Sequence, residues 1–121
     1  MNDFLTQKII GSGIEVDKIL GAGLLESVYE EALCHEFHLR DIKFQRQLEV
    51  GVIYKGKIIK GQRLDLLVEN EVIVEIKSLA KLPDVATAQT LSYLKATGLK
   101  RGLLINFGAS KLIDSVKRIS L

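Results

Sequence analysis

Arg63-Leu64-Asp65-Leu66-Leu67-Val68-Glu69-Asn70-Glu71-Val72-Ile73-Val74-Glu75-Ile76-Lys77 holds two apolar runs, each carrying a carboxylate. Short β-branched and aliphatic runs bounded by a polar turn read as strands, here Ile58 to Val68 and Val72 to Lys77. Side chains alternate along a strand, so Glu75 and Lys77 share one face while Val74 and Ile76 take the other. A three-residue turn at Glu69-Asn70-Glu71 sets Val68 against Val72. Leu66 then opposes Val74, Asp65 opposes Glu75, and Arg63 opposes Lys77. Opposed residues lie with Cβ atoms about 5 Å apart, and two like charges so placed are destabilising unless a cation lies between them. Two carboxylates completed by carbonyls and waters suit Mg²⁺, with Mn²⁺ the alternative. Lys77 reaches the same volume and can orient an attacking water or neutralise a phosphate oxygen. The bland alternative is a surface hairpin in which Asp65 pairs with Arg63 and the other two charges are solvated.

Working outward, Phe44, Leu48, Val50, Val52 and Tyr54 alternate with polar residues and glycine, a half-buried strand turned back at Lys55-Gly56-Lys57. Before it, residues 3–20 show a helical apolar pattern weakened by Gly11 and Gly13. Gly21-Ala22-Gly23 breaks the chain, and Leu24 to about Arg40 reads as a second amphipathic helix. After the carboxylate strands, Pro83 opens a helix over 84–97 that Gly98 closes. Arg101 to Phe107 is a last strand, and Ser110 caps a short helix to about Arg118. Helix, helix, three antiparallel strands, helix, strand, helix is a mixed α/β (α+β) order.

Across the 121 residues, 47% hydrophobic and 26% charged residues describe an ordinary globular chain, and 1–121 reads as one domain. One cysteine, Cys34, excludes a disulfide framework and a Cys-rich zinc site. His35 and His38 lie three apart on a helix, too few ligands for zinc. Gly11-Ser12-Gly13 has no phosphate-loop context. No apolar run approaches the roughly 18 residues of a membrane span, and the N-terminus lacks a signal pattern, so a reducing cytoplasm and no membrane are expected. Residues 1–94 carry 11 basic and 14 acidic side chains, whereas 95–121 carry six basic against Asp114 alone. A basic C-terminal quarter beside acidic clusters suits a protein that meets a polyphosphate.

Two further pairs stand at helical spacing. Gln89 and Tyr93 share a face of the helix after Pro83, where an amide and a phenol can contact a nucleic-acid backbone or hold the lysine. Glu26 lies in the first turn of its helix, favourable to the helix dipole, with Tyr29 one turn on.

Taken together, Gly23-x-x-Glu26-x-x-Tyr29, Arg63-x-Asp65, Glu75-Ile76-Lys77, Ala88-Gln89…Tyr93-Leu94 and the strand Gly102 to Gly108 resemble the small bacterial GxxExxY proteins of the PD-(D/E)XK nuclease superfamily. The resemblance runs from about Gly21 to Arg118. It implies a restriction-endonuclease-like α-β-β-β-α-β core, here with an added N-terminal helix and a short C-terminal helix. It also implies that Asp65 and Glu75 are metal-binding carboxylates, that Lys77 is the catalytic lysine, and that Glu26 joins the metal site. Tyr29, Arg63, Gln89 and Tyr93 fall at supporting or substrate-binding positions. The chain departs from the family at Ala22, where relatives often have proline, and at Ala86, where many have histidine.

The expected function is therefore a Mg²⁺-dependent nuclease that hydrolyses phosphodiester bonds, with DNA favoured over RNA. Cutting both strands of a duplex would require a homodimer. The competing expectation is a non-catalytic nucleic-acid- or protein-binding module that retains the nuclease fold.

Overall fold

Alternating or continuous apolar runs in the strands, and apolar faces at period 3.6 in the three helices, give the chain its layers. The computed structural model describes residues 3–121, so the first two residues of the expected 1–121 domain lie outside the described residues. The elements are α1 (Phe4–Leu20), α2 (Glu26–Leu39), β1 (Phe44–Tyr54), β2 (Lys57–Val68), β3 (Val72–Lys77), α3 (Asp84–Thr97), β4 (Arg101–Asn106), a 3-10 turn (Leu112–Ser115) and β5 (Val116–Ser120). The five strands form one sheet in the order β1-β2-β3-β4-β5. β3 and β4 are parallel, joined through α3, and the other neighbours are antiparallel.

Helices cover both faces. On one, α1 and α2 bury Ile9, Val16, Leu33 and Phe37 against Leu66, Val74, Ile76, Leu103 and Ile105. On the other, α3 buries Ala86, Tyr93 and Leu94 against Ile73, Leu104 and Ile119. Neighbouring residues of β3 and β4 thus serve opposite layers, as expected for strands covered on both sides. The glycines of α1 do not interrupt it. A Cβ at Gly13 would stand 3.0 Å from Leu112 Cδ2, so its missing side chain lets the 3-10 turn pack against the helix.

One expected element is corrected. The segment from Ser110 to Arg118 is not a helix. A single 3-10 turn leads into β5, which pairs with β4 from Arg101↔Ser120 to Ile105↔Val116. Val116 and Ile119 fit a helical spacing as well as a strand, and two apolar residues cannot separate the periods. The decision is tertiary. Without β5 the backbone groups of β4, between buried Leu103, Leu104 and Ile105, would have no partner on that side. Val116 joins the α1–α2 layer and Ile119 the α3 layer.

The basic C-terminal quarter is also divided by the fold. Arg101 is committed to ion pairs with Asp3 and Glu71. Lys117 and Arg118, consecutive in a strand, point to opposite sides of the sheet edge.

Candidate active site: a carboxylate pair where two strands part

β2 and β3 pair in the expected register through Val68↔Val72, Leu67↔Ile73 and Leu66↔Val74, and there the ladder ends. Beyond that point β2 continues beside β1 and β3 beside β4. Asp65 and Glu75 sit in the fork. Asp65 N–H donates to Glu75 Oε2 at 2.6 Å, and Ile76 N–H donates to Asp65 Oδ2 at 2.8 Å. Each carboxylate thus takes the place of a ladder carbonyl for the opposite strand. Neither expected ladder pair, Asp65–Glu75 nor Arg63–Lys77, forms: each carboxyl instead accepts a backbone N–H of the opposite strand. The alternation of β2 changes at the same place. Leu66 and Val68 pack under α1 and α2, whereas Leu64 packs in the α3 layer. Across from Asp65, Gln47 of β1 has φ +52°.

Glu75 is 2% exposed and Asp65 half-buried. Burial, and then the charge of Asp65, push the Glu75 carboxyl up to about 8, against the Asp65 N–H bond and Lys77, which favour its ionised form. Burial also raises the Asp65 carboxyl, with Glu30 and Glu26 adding to the shift and the Ile76 N–H and Lys77 opposing it. Lys77 is half-buried at the end of β3 and makes no ion pair with a described residue. The surface-hairpin alternative fails on these points. Arg63 is exposed and does not pair with Asp65.

Glu26 is the first residue of α2 and is exposed. It lines an open cleft of about 380 Å³ with Leu24, Leu25, Ser27 and Ser78, the residue after Lys77. Ser78 Oγ donates to Leu24 O at 2.7 Å, which ties the start of α2 to the end of β3. Glu26 makes no contact with the clasp, and its charge is felt at Asp65. Glu30, one turn on, adds through its charge to the upward shift of both Asp65 and Glu75. It is 7% exposed and held by Arg46 through Nε and Nη2 and by Gln47 Nε2. Glu30, Arg46 and Gln47 were not among the expected site residues. The i, i+4 spacing from Glu26 was the available signal for Glu30.

Tyr29 does not face the fork. It is fully buried and stacked on Phe107 with ring centroids 4.4 Å apart. Its hydroxyl donates to Gly21 O at 2.5 Å and accepts from Leu24 N–H at 3.1 Å, clamping the loop in which Gly23 has φ +100°. Gly, Glu and Tyr at this spacing are explained as a turn, a helix start and the clamp that holds both. Tyr29→Phe keeps the stack but orphans two part-buried backbone groups. It should cost about 1–2 kcal/mol, read as a lower urea midpoint at unchanged m.

Tyr93 is buried in α3, and its hydroxyl donates to Arg63 O at 3.0 Å, holding the strand two residues from Asp65. Burial, then the charges of Glu75 and Asp65, raise this phenol to about 12. Gln89 is half-buried on the same helix and makes no hydrogen bond to a described residue. Ala86 is buried against the sheet. Cys34 is also buried, its thiol pushed up to about 11, which denies it a nucleophile's thiolate.

The chain leaving Lys77 is held by Asn106. Its Oδ1 accepts from Leu79 N–H at 2.9 Å and Gly108 N–H at 3.0 Å, and its Nδ2 donates to Leu79 O at 2.9 Å. Gly108 lies so close that a Cβ would fall 2.2 Å from Leu79 O, so no side chain fits there. Asn106→Ala should cost about 2–3 kcal/mol, because three backbone groups lose their partner. The loop amides after Lys77 should then exchange faster in hydrogen-exchange measurements.

No group of three or more His, Cys, Asp or Glu side chains among the described residues stands ready to hold a metal ion. The donor set nonetheless fits a hard divalent cation. Burial raises the proton affinity of both carboxyls, and the charge of Asp65 raises that of Glu75 further, while Mg²⁺ is commonly held by one or two carboxylates with waters and phosphate oxygens.

A sheet covered on both faces, with Asp, then Glu-x-Lys, where two strands part, defines a mixed α/β protein with a buried carboxyl pair. The PD-(D/E)XK nuclease superfamily model matches residues 3–119, and the chain belongs to that superfamily. The crystal structure of SSO0001 aligns with a TM-score of 0.48 at 17% identity, over 99% of this chain and 79% of that one. No curated protein matches the chain. No described helix is long and apolar enough to cross a membrane.

Proposed function

We propose that this chain is a Mg²⁺-dependent nuclease of the GxxExxY group, a single domain over residues 1–121 that hydrolyses phosphodiester bonds in DNA. The observation that carries this reading is the buried Asp65–Glu75 clasp with Lys77 beside it, in a member of a nuclease superfamily. Asp65 and Glu75 are the residues that would hold the cation, with water and phosphate oxygens completing its shell, and Glu26 would act on the site from the cleft without converging on the pair. A divalent ion there supplies Lewis acidity toward a phosphate and acidifies water. Lys77 places an ammonium against the charge that develops on the phosphate, or holds the attacking water. Tyr93 and Asn106 act by positioning, one on the strand before Asp65 and the other on the loop after Lys77. Bacterial origin, a cytoplasmic location and a homodimer able to cut both strands belong to the same reading.

The test is cleavage of duplex, branched and single-stranded DNA and RNA with Mg²⁺, Mn²⁺ or EDTA. Cleavage of DNA that needs the ion supports the reading, and no cleavage of any substrate by folded protein overturns it. A second reading, a binding module that keeps the fold, is favoured by the convergence of two carboxylates rather than three. Divalent-metal affinity by calorimetry separates them, since the module has no need of the ion.

A further inference from the structure

The outer half of the β1–β2 hairpin is an arm. β3 covers β2 only at Leu66–Val68, so residues 52–60 are paired with each other alone. Both of the arm's faces are exposed: Ile53 is 74%, Tyr54 60%, Ile58 61% and Ile59 46% accessible. The register Val52↔Ile59, Ile53↔Ile58, Tyr54↔Lys57 places Ile53 and Ile58 on one face and Tyr54 and Ile59 on the other. Lys55 and Gly56 close the tip with φ +47° and +82°, the conformation of a tight two-residue hairpin. A free two-stranded ribbon with no core of its own is at best marginal in water, and large apolar residues on both sides make it a surface awaiting a partner.

Charge selects the partner. Between Glu49 and Asp65 the chain has no acid and four bases, Lys55, Lys57, Lys60 and Arg63. At the arm's base a groove of about 330 Å³ between Gly51, Val52 and Ile53 and the end of α3 adds Lys95. Lysines alone would serve to keep an edge from aggregating. Lysines together with bare isoleucines and a tyrosine do not, because the apolar groups stay in water. A second arm of the same sign would be repelled, whereas a phosphate backbone would be attracted.

Resting on the nuclease reading for what happens at Asp65 and Glu75, we infer that the arm lies in the major groove of duplex DNA beside the scissile phosphate. A major groove about 12 Å wide admits a two-stranded ribbon. Strand rise puts Lys60 and Lys57 roughly 16 and 26 Å along β2 from Asp65, within one duplex turn of about 34 Å. The lysines meet phosphates on the groove walls, and the apolar side chains meet base edges and thymine methyl groups. A-form RNA has a deep, narrow major groove that excludes a ribbon, so the arm selects duplex DNA over duplex RNA and over single strands.

The experiment compares the parent with the triple variant Lys55→Gln, Lys57→Gln, Lys60→Gln, all at exposed positions whose substitution leaves folding intact. Binding to a fluorescent DNA duplex, the same duplex as RNA, and one DNA strand is read by anisotropy across a salt series, alongside cleavage with Mg²⁺ and sedimentation velocity of the free protein. The parent should prefer the DNA duplex. The triple variant should lose tenfold or more of that affinity, and its salt slope should fall by about 2–3. Unchanged affinity and slope in the variant overturn the arm's role, even if the parent cleaves DNA. So does a change confined to sedimentation, which would make the arm a contact between copies. A lost slope in a protein that cleaves nothing keeps the arm and discards the nuclease reading.

Discussion

Lys77→Met should lower cleavage by about 10²–10³-fold while leaving the fold and divalent-metal binding in place. Methionine keeps a long apolar stem of the kind lysine uses to cross a half-buried position, and removes only the ammonium. No described carboxylate is bonded to that ammonium, so its loss breaks no ion pair that the fold depends on. Asp65 and Glu75 remain clasped, since their hydrogen bonds run to Ile76 N–H and Asp65 N–H and not to the lysine. Asp65→Asn should fail differently, because it removes a charged ligand and weakens metal binding itself. Calorimetric metal affinity and cleavage rate, measured on both variants, separate the roles. Equal rates for Lys77→Met and the parent, on a substrate the parent cuts, would return Lys77 to the ordinary surface lysines.

Glu75→Gln should stabilise the metal-free protein at alkaline pH and abolish its response to Mg²⁺. The Glu75 carboxyl stands at about 8 in the fold against an ordinary 4.5. The folded state therefore binds the proton more tightly than the unfolded chain. That contribution is fully present below about 4.5 and is lost as pH rises through about 8. At pH 9 the parent holds a buried carboxylate beside Asp65, whereas glutamine keeps an acceptor for the Asp65 N–H without the charge. The gain should be on the order of 2–4 kcal/mol, or roughly 10 °C in Tm for a domain of this size. At pH 4 the two proteins should melt together. Mg²⁺ should raise the parent's Tm most at high pH, where ion and proton no longer compete, and EDTA should reverse it. A parent whose metal-free stability is flat between pH 5 and 9 would remove the physical basis for a cation at this pair.

Much of this architecture is local, and the chain states it plainly. The strand Val72–Lys77 and the helix Asp84–Thr97 fall at the bounds read from their periodicity and from Pro83 and Gly98. Three turn residues between two apolar runs determine the register up to Leu66↔Val74, and with it the arrival of Asp65 and Glu75 at the point where the strands part. Such features depend on side chains within a few residues of one another, and local sequence is sufficient to specify them. The tertiary structure decided what depends on distant partners. It opened the strands at Asp65, because two opposed carboxylates each gain a backbone N–H by parting. It turned Val116–Ser120 from a helix into a strand, because β4 needed an edge partner. It buried Glu30 against Arg46 and Gln47, and it put Tyr29 in the core, stacked on Phe107, with its hydroxyl clamping the loop before α2. Each outcome balances buried charge or unpaired backbone against a partner far along the chain, and the sequence pattern around each residue contains no trace of that partner.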